Sequence, residues 1–250
     1  MSRTAVYSAL ILRSRASGES NRDVWLLTAG AGIIRATVFG GPKSRLRAHA
    51  APFHSGQVWV YHDPVKDSRK LTDFDVHSWR PGLRELYERT TAAAAAAETI
   101  LETHGGGGNW EAALDLAVTA LDALESANEE LCSRILIHFL WRWAGFLGLQ
   151  PQFDLCASCA NAADTDSPLW YSVREGGVLC GRCAAEDGGA GGPRLLLSPG
   201  CRRWLVGAGP LAPSQLGPFT LDNKPLNDAK ALTHAILTEA LGRRLASWDC

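Results

Sequence analysis

The sequence predicts an α+β multidomain fold: an N-terminal OB-fold-like β-barrel, then a C-terminal α-helical domain with a four-cysteine ribbon inserted in it. Three observations predict it. The first 80 residues hold five short runs rich in Val, Ile, Leu, Trp and Tyr, separated by turn residues. At Pro81 the texture changes to long helix-forming stretches, one with six consecutive alanines over 92–97. Four of the seven cysteines fall as two Cys-x-x-Cys pairs, Cys156/Cys159 and Cys180/Cys183, with twenty residues between them. The implied domains are 1–80 for the barrel, 81–152 with 188–250 for the helices, and 153–187 for the ribbon.

The barrel strands are read from "AVYSALILR", "DVWLL", "GIIRATVF", "GQVWVYH" and "LTDFDVHSW". Five short strands in about 75 residues suit a small barrel, with the partly open OB type the leading reading and an SH3-like barrel the other that the pattern allows. "TAGAG" (28–32) is a hairpin turn between the second and third. Alternation in the fifth run puts Leu71, Asp73, Asp75 and His77 on one side and Thr72, Phe74, Val76 and Ser78 on the other. The segment 40–56 between the third and fourth runs is expected as a loop.

Three helices follow. One covers the alanine run and ends at "GGGGN" (105–109); the next is "WEAALDLAVTALDALES". The third is expected to start at Ser126, where Ser126 and Glu129 form a Ser-x-x-Glu capping box. Its apolar face (Leu131, Ile135, Phe139, Trp143, joined by Leu136, Leu140 and Leu147) is too broad for one stripe, which predicts a central position in the helical core. After the cysteines, "GGAGG" (188–192) reads as a hinge, as does the earlier glycine run. A short helix around "CRRWLVGAG" and a final one in "DAKALTHAILTEALGRRLAS" close the chain, the last with Leu232, Ile236, Leu237, Ala240, Leu241 and Leu245 on its apolar face.

Two residues between cysteines let a tight turn aim both sulfurs at one ion, and tetrahedral zinc takes four such ligands. Between the pairs, "PLWYSVREGGVL" reads as two strands around Glu-Gly-Gly, the hairpin that returns the second pair to the first. With Cys156, Cys159, Cys180 and Cys183 all thiolates, no open coordination position is implied, so the zinc is expected to be structural rather than catalytic. The start of the chain is a poor secretory leader, since its apolar stretch closes on Arg13 and Arg15, and no apolar run reaches 18 residues. A cytoplasmic protein without a membrane span is expected, a setting in which paired cysteines hold metal rather than form disulfides.

The net charge of −1 conceals a split. Residues 1–80 carry 12 Lys+Arg against 6 Asp+Glu, and the remainder is acidic. "GGPKSRLRAHAAPFHSG" (40–56) holds Lys43, Arg45 and Arg47 with no acid, and Tyr7, Trp25, Phe39, Phe53, Trp59 and Tyr61 interleave with the cations of this module. Cations that track phosphates beside rings that stack on bases are how single strands are held. Catalytic patterns are missing: there is no Walker loop, His-Glu-x-x-His or Gly-x-Ser-x-Gly, and no histidine is followed by Glu two residues on. The chain is expected not to be an enzyme. The competing reading is a zinc-ribbon protein–protein adaptor without direct DNA binding.

The order of modules resembles the RecO family of bacterial recombination mediators. "DVWLLTAGAGIIRATVFGGPKSRLRAHAAPF", "FLWRWAGFLGLQPQFDLCASC" and "LTHAILTEALGRRLASWD" carry the resemblance, which extends from about residue 5 to 248. It implies a non-enzymatic protein that binds single- and double-stranded DNA and anneals complementary strands. It also implies work with RecR to displace single-strand binding protein so that RecA can load. Some members bind the acidic C-terminal tail of that binding protein at a hydrophobic pocket flanked by basic residues; here Arg134 and Arg142 are the candidates. Lys43, Arg45 and Arg47 are the implied DNA contacts, with Arg13, Arg22 and Arg35 in support, and the four cysteines hold zinc. The chain departs from the pattern in its acidic helical region and in "GESNRD" (18–23), where Glu19 and Asp23 are spaced more widely.

Overall fold

Apolar residues at every second position give the first five strands one face to bury, and closing the sheet on itself buries it without leaving an edge. The computed structural model describes residues 3–41, 43–164, 166–186 and 192–248. The strands are β1 (Thr4–Ser17), β2 (Asn21–Thr28), β3 (Gly32–Val38), β4 (Ser55–Asp63) and β5 (Ser68–Ser78). They form a closed barrel in the order β1-β2-β3-β5-β4, with β4 also paired to β1. Every pairing is antiparallel except β3 with β5, which meet at Thr37 and Lys70. Ile11, Leu26, Ile34, Val58, Leu71 and Phe74 fill the interior.

The β2–β3 turn falls on "TAGAG" as the sequence predicts. The Thr28 hydroxyl donates to the Gly32 carbonyl at 2.8 Å and accepts from the Ala31 N–H at 3.2 Å. Gly32 has φ +62°, and a Cβ there would stand 2.8 Å from the Trp110 ring, so both backbone and space require glycine.

Two expectations for the barrel need correcting. In β5 the alternation breaks: Trp59 faces Asp73 but Val60 faces Leu71, leaving Thr72 as the extra residue of a bulge. Leu71 therefore points inward with Phe74, while Asp73, Asp75 and His77 stay exposed. The supposed loop 40–56 contains a helix, α1 (Arg45–His49), whose Ser44 cap accepts from the Arg47 N–H. Leu46 and Ala50 pack from it into the barrel.

Helices α2 (Tyr87–Glu102) and α3 (Trp110–Glu125) follow. The alanine run does more than favour helix: Ala93, Ala96 and Ala97 border the same small apolar space as Leu10 and Leu12 of β1. Side chains that short let α2 lie close against the strand. The glycine run is a fitted turn rather than a free linker. Gly105 to Gly108 all have positive φ, and Gly105 is buried against Leu27 and Ile33. The capping box at Ser126 does not form. Ser126 ends α3, and α4 (Glu129–Phe146) is capped by Asn128, which accepts from the Leu131 N–H.

The chain divides into two compact units, 1–127 and 128–250, so α2 and α3 fall in the same unit as the barrel. In the second unit α4 is central and buried on nearly all sides, Cys132 included. A sheet of order β7-β6-β8 is built from β6 (Leu169–Ser172), β7 (Gly177–Leu179) and β8 (Arg194–Leu197). The first two match the hairpin the sequence predicts, and β8 is a third strand that the sequence pattern does not signal. Helices α5 (Gly181–Glu186), α6 (Pro199–Ala208) and α7 (Asn223–Leu241) complete the unit. The face that α7 buries is Ala229, Leu232, Thr233, Ile236 and Leu237; Ala240 is exposed. Most of the expected hinge at 188–192, and the terminal Cys250, lie outside the described residues. Among the described residues no helix is long and apolar enough to cross a membrane.

Candidate nucleic-acid interface and metal centre

Strand register assembles one basic face on the barrel. Arg13 pairs with Trp25 across β1–β2, and Trp25 pairs with Arg35 across β2–β3, which puts the three in one row. The Arg35 and Arg15 guanidiniums lie 5.3 and 6.0 Å from the centre of the Trp25 ring. On β5 the Lys70 ammonium lies 5.2 Å from the centre of Phe39, a ring 51% exposed.

The six candidate cations are not equivalent. Lys43 and Arg45 are exposed, and Arg45 makes no ion pair among the described residues; its Nε donates to His49 Nε2 at 3.2 Å. Arg47 is half-buried and donates to the Ser20 carbonyl at 3.4 Å. Arg35 is bound to Asp23, which also accepts from the Thr37 hydroxyl at 2.9 Å. Burial alone would raise the Asp23 carboxyl, but Arg35 and Thr37 hold it below the usual carboxylate range. Arg13 is half-buried beside Trp25. Arg22 is out of phase with this face, one residue from Asp23, and its buried Nε has no partner among the described residues.

The four cysteines do converge. One sulfur from each of Cys156, Cys159, Cys180 and Cys183 lies within 4.8 Å of all the others. A tetrahedral ion with sulfur at about 2.3 Å would set the sulfurs about 3.8 Å apart, so this donor set fits such an ion. The first knuckle is a turn closed by Ala160 N–H to the Cys156 carbonyl at 2.9 Å, with Ala160 at φ +57°. The second joins the end of β7 to α5, and the Ala157 N–H to Val178 carbonyl bond, 2.8 Å, ties the two together. Burial opposes ionisation of Cys156, yet N–H groups of Cys159, Cys180 and Ser158 bring its thiol down to about 6. Cys183 is pushed up to about 12, first by the neighbouring Cys159 and Cys180 sulfurs. Four crowded thiols resist ionising together, and a cation among them removes that resistance. Arg202, from α6, steadies the first knuckle by donating to the Asp164 carbonyl at 2.9 Å and standing 3.6 Å from the Asp154 carboxylate.

The second unit also holds an apolar cavity of about 460 Å³, lined by Trp141, Phe146, Phe153, Leu205, Val206 and Arg142 among others. Arg142 donates to the Leu211 carbonyl at 3.2 Å. Arg134 is not at this cavity. It is buried and donates to the carbonyls of Leu216, Gly217 and Phe219. His138 behaves as a core residue: its Nε2 meets the Ala208 carbonyl at 3.1 Å, and burial, then the Arg142 charge, holds its pKa down to about 4.

Sequence reasoning did not find the cavity, because Phe153, Leu205 and Pro210 come from segments far apart in the chain. It named Trp25 and Phe39 but not their stacking with particular cations, which depends on cross-strand register.

The family description "Recombination protein O N terminal" matches residues 1–78, and "Recombination protein O C terminal" matches 84–249. A DNA repair protein RecO of Anaeromyxobacter dehalogenans is 32% identical over 245 residues, covering 96% of this chain and 92% of that protein. One from Rubrobacter xylanophilus is 30% identical over 179 residues, covering 71% of this chain and 70% of its own. With both halves matched and the similarity running nearly end to end, the chain belongs to the RecO family, recombination protein O.

Proposed function

We propose that this chain is a DNA repair and homologous recombination mediator that binds single- and double-stranded DNA and anneals complementary strands. The observation that carries this reading is the pair of exposed cations Lys43 and Arg45, matched by no carboxylate among the described residues, beside a closed barrel in a RecO-family chain. Two single strands repel through their phosphates. Lys43 and Arg45, with Arg47, Arg13, Arg35 and Arg22 in support, lower that repulsion and hold both strands together. Base pairing then drives the reaction, so no nucleotide is hydrolysed and no catalytic residue is needed. In a cell this activity would be exerted in the cytoplasm at the nucleoid, with RecR, on strands covered by single-strand binding protein, and would lead to RecA loading.

The other features take supporting roles. Residues 1–80 carry the nucleic-acid-binding role and 153–187 the ribbon, while the helical segments 81–152 and 188–250 are divided between the two compact units. The four cysteines hold zinc, which supplies a cross-link for the ribbon and no reaction. The apolar cavity beside Arg142 has the chemistry to take the acidic tail of single-strand binding protein: rings and aliphatic side chains for its apolar residues and a guanidinium for its charge.

Annealing tests the proposal. Two complementary oligonucleotides are mixed with purified, folded protein and no nucleotide, at low and moderate salt. Acceleration at low salt that fades as salt rises is expected. No acceleration at low salt would refute the proposal and favour the adaptor reading.

A further inference from the structure

With Phe74 turned inward, Asp73 and Asp75 both face outward, Asp73 opposite Trp59 and Asp75 opposite Gln57 across β4–β5. Helix α1 lies against the same strand, and His49 Nδ1 donates to the Phe74 carbonyl at 3.1 Å. Arg45, Leu46 and His49 of α1, with Trp59, Asp73 and Asp75, line a cavity of about 430 Å³. That volume is within the range of small-molecule sites, roughly 300–1,000 Å³.

The charges around this cavity are arranged unusually. Arg45 lines it with two carboxylates, yet among the described residues it pairs with neither; His49 Nε2 accepts its Nε–H instead. Asp73 uses one oxygen to accept from the Phe74 N–H at 2.8 Å, and Asp75 stands 3.5 Å from His77. The cavity is lined by carboxylates from β5, a cation from α1 and an indole from β4. Two carboxylates repel phosphates, so a surface that only tracks a DNA backbone gains nothing from them. They suit a ligand that presents N–H donors.

We propose that this cavity receives one unpaired guanine of bound single-stranded DNA. A carboxylate can accept both guanine N1–H and the exocyclic N2–H, two parallel donors matched to its two oxygens. Trp59 supplies a ring for stacking, and Arg45 neutralises the adjoining phosphate. Adenine and cytosine each set one amine beside a ring-nitrogen acceptor, which the carboxylate repels. Thymine flanks its single N–H with two carbonyl oxygens and is the worst fit. This inference rests on the DNA-binding reading above and adds base preference to it.

The test is fluorescence anisotropy at fixed salt with full-length protein and oligothymidylates of one length, either all thymine or carrying one central guanine, adenine or cytosine. The guanine oligonucleotide is expected to bind about five-fold more tightly than all-thymine, with the other two between. Asp73→Asn/Asp75→Asn should bind all-thymine DNA more tightly, because repulsion is removed, yet lose the guanine preference. A plain phosphate-binding surface would show the first effect without a preference to lose. Trp59→Leu should weaken all four without changing their order. Equal wild-type affinities would overturn the base pocket and leave DNA binding standing. No binding of any oligonucleotide at low salt would overturn both. Equal affinities together with a polyarginine peptide that binds wild type but not the double variant would reassign the cavity to a cationic protein segment.

Discussion

Replacing Lys43, Arg45 and Arg47 together with alanine tests the proposed electrostatic DNA binding apart from the barrel's fold. All three lie within five residues, on or just before α1, and none pairs with a carboxylate in an ion pair among the described residues. Each neutralised phosphate on a single strand contributes about 0.7 to the slope of log K against log salt. Losing three contacts should flatten the slope by about 2. Between 50 and 200 mM salt, wild type should then lose about 15- to 20-fold more affinity than the variant. Arg35→Ala is the internal control. Its charge is already matched by Asp23, so the slope should change by less than about 0.7. Its cost should appear in stability, about 1 kcal/mol, since the arginine side of the pair is 64% exposed. The depressed Asp23 carboxyl also fixes the sign of the pH effect. Its contribution is present above the ordinary carboxylate value of about 3.9 and is lost as pH falls through the lower folded value. The assay is anisotropy across a salt series with an oligothymidylate, paired with urea titrations. An unchanged slope in the triple variant, or a larger change from Arg35→Ala than from the triple, would refute the reasoning.

Five further outcomes are expected. Cys159→Ala should abolish tight metal binding and loosen the ribbon, read by a colorimetric metal assay and by faster amide exchange over 156–183, while salt-dependent DNA binding persists. Arg80→Ala should destabilise by about 2 kcal/mol in urea, because this fully buried side chain donates to the half-exposed Asp122 at 2.7 Å and to the Phe53 carbonyl at 2.6 Å, which loses its partner. Gly32→Ala should cost more than about 1 kcal/mol in the same assay, from a positive φ and the clash with Trp110. Arg142→Ala should weaken binding of a peptide from the acidic tail of single-strand binding protein, measured by calorimetry, and Arg134→Lys should instead lower the melting temperature, since Arg134 serves three carbonyls.

Much of the molecule is legible in the residues because the governing interactions are local. Five apolar runs with turn residues between them become five strands with bounds shifted by a few residues, since alternation and turn chemistry act over short distances. Two Cys-x-x-Cys pairs around a hairpin converge for the same reason: each knuckle is a turn, and β6–β7 carries one to the other. The central position of α4 follows from a face too broad to be covered by one neighbour.

What the tertiary structure alone decided depends on partners distant in sequence. The Thr72 bulge comes from closing β5 against β4, and it reverses the side on which Leu71 lies. The glycine run becomes a buried turn because Leu27 and Ile33 are there to meet Gly105. Which cations remain unmatched is set across strands: Arg35 reads like Arg45 in the sequence, but only Arg35 meets Asp23. Local pattern specifies elements and a metal-binding clasp, while register and packing determine which charges are matched and where cavities form, because a charge is free or neutralised only relative to neighbours that folding brings to it.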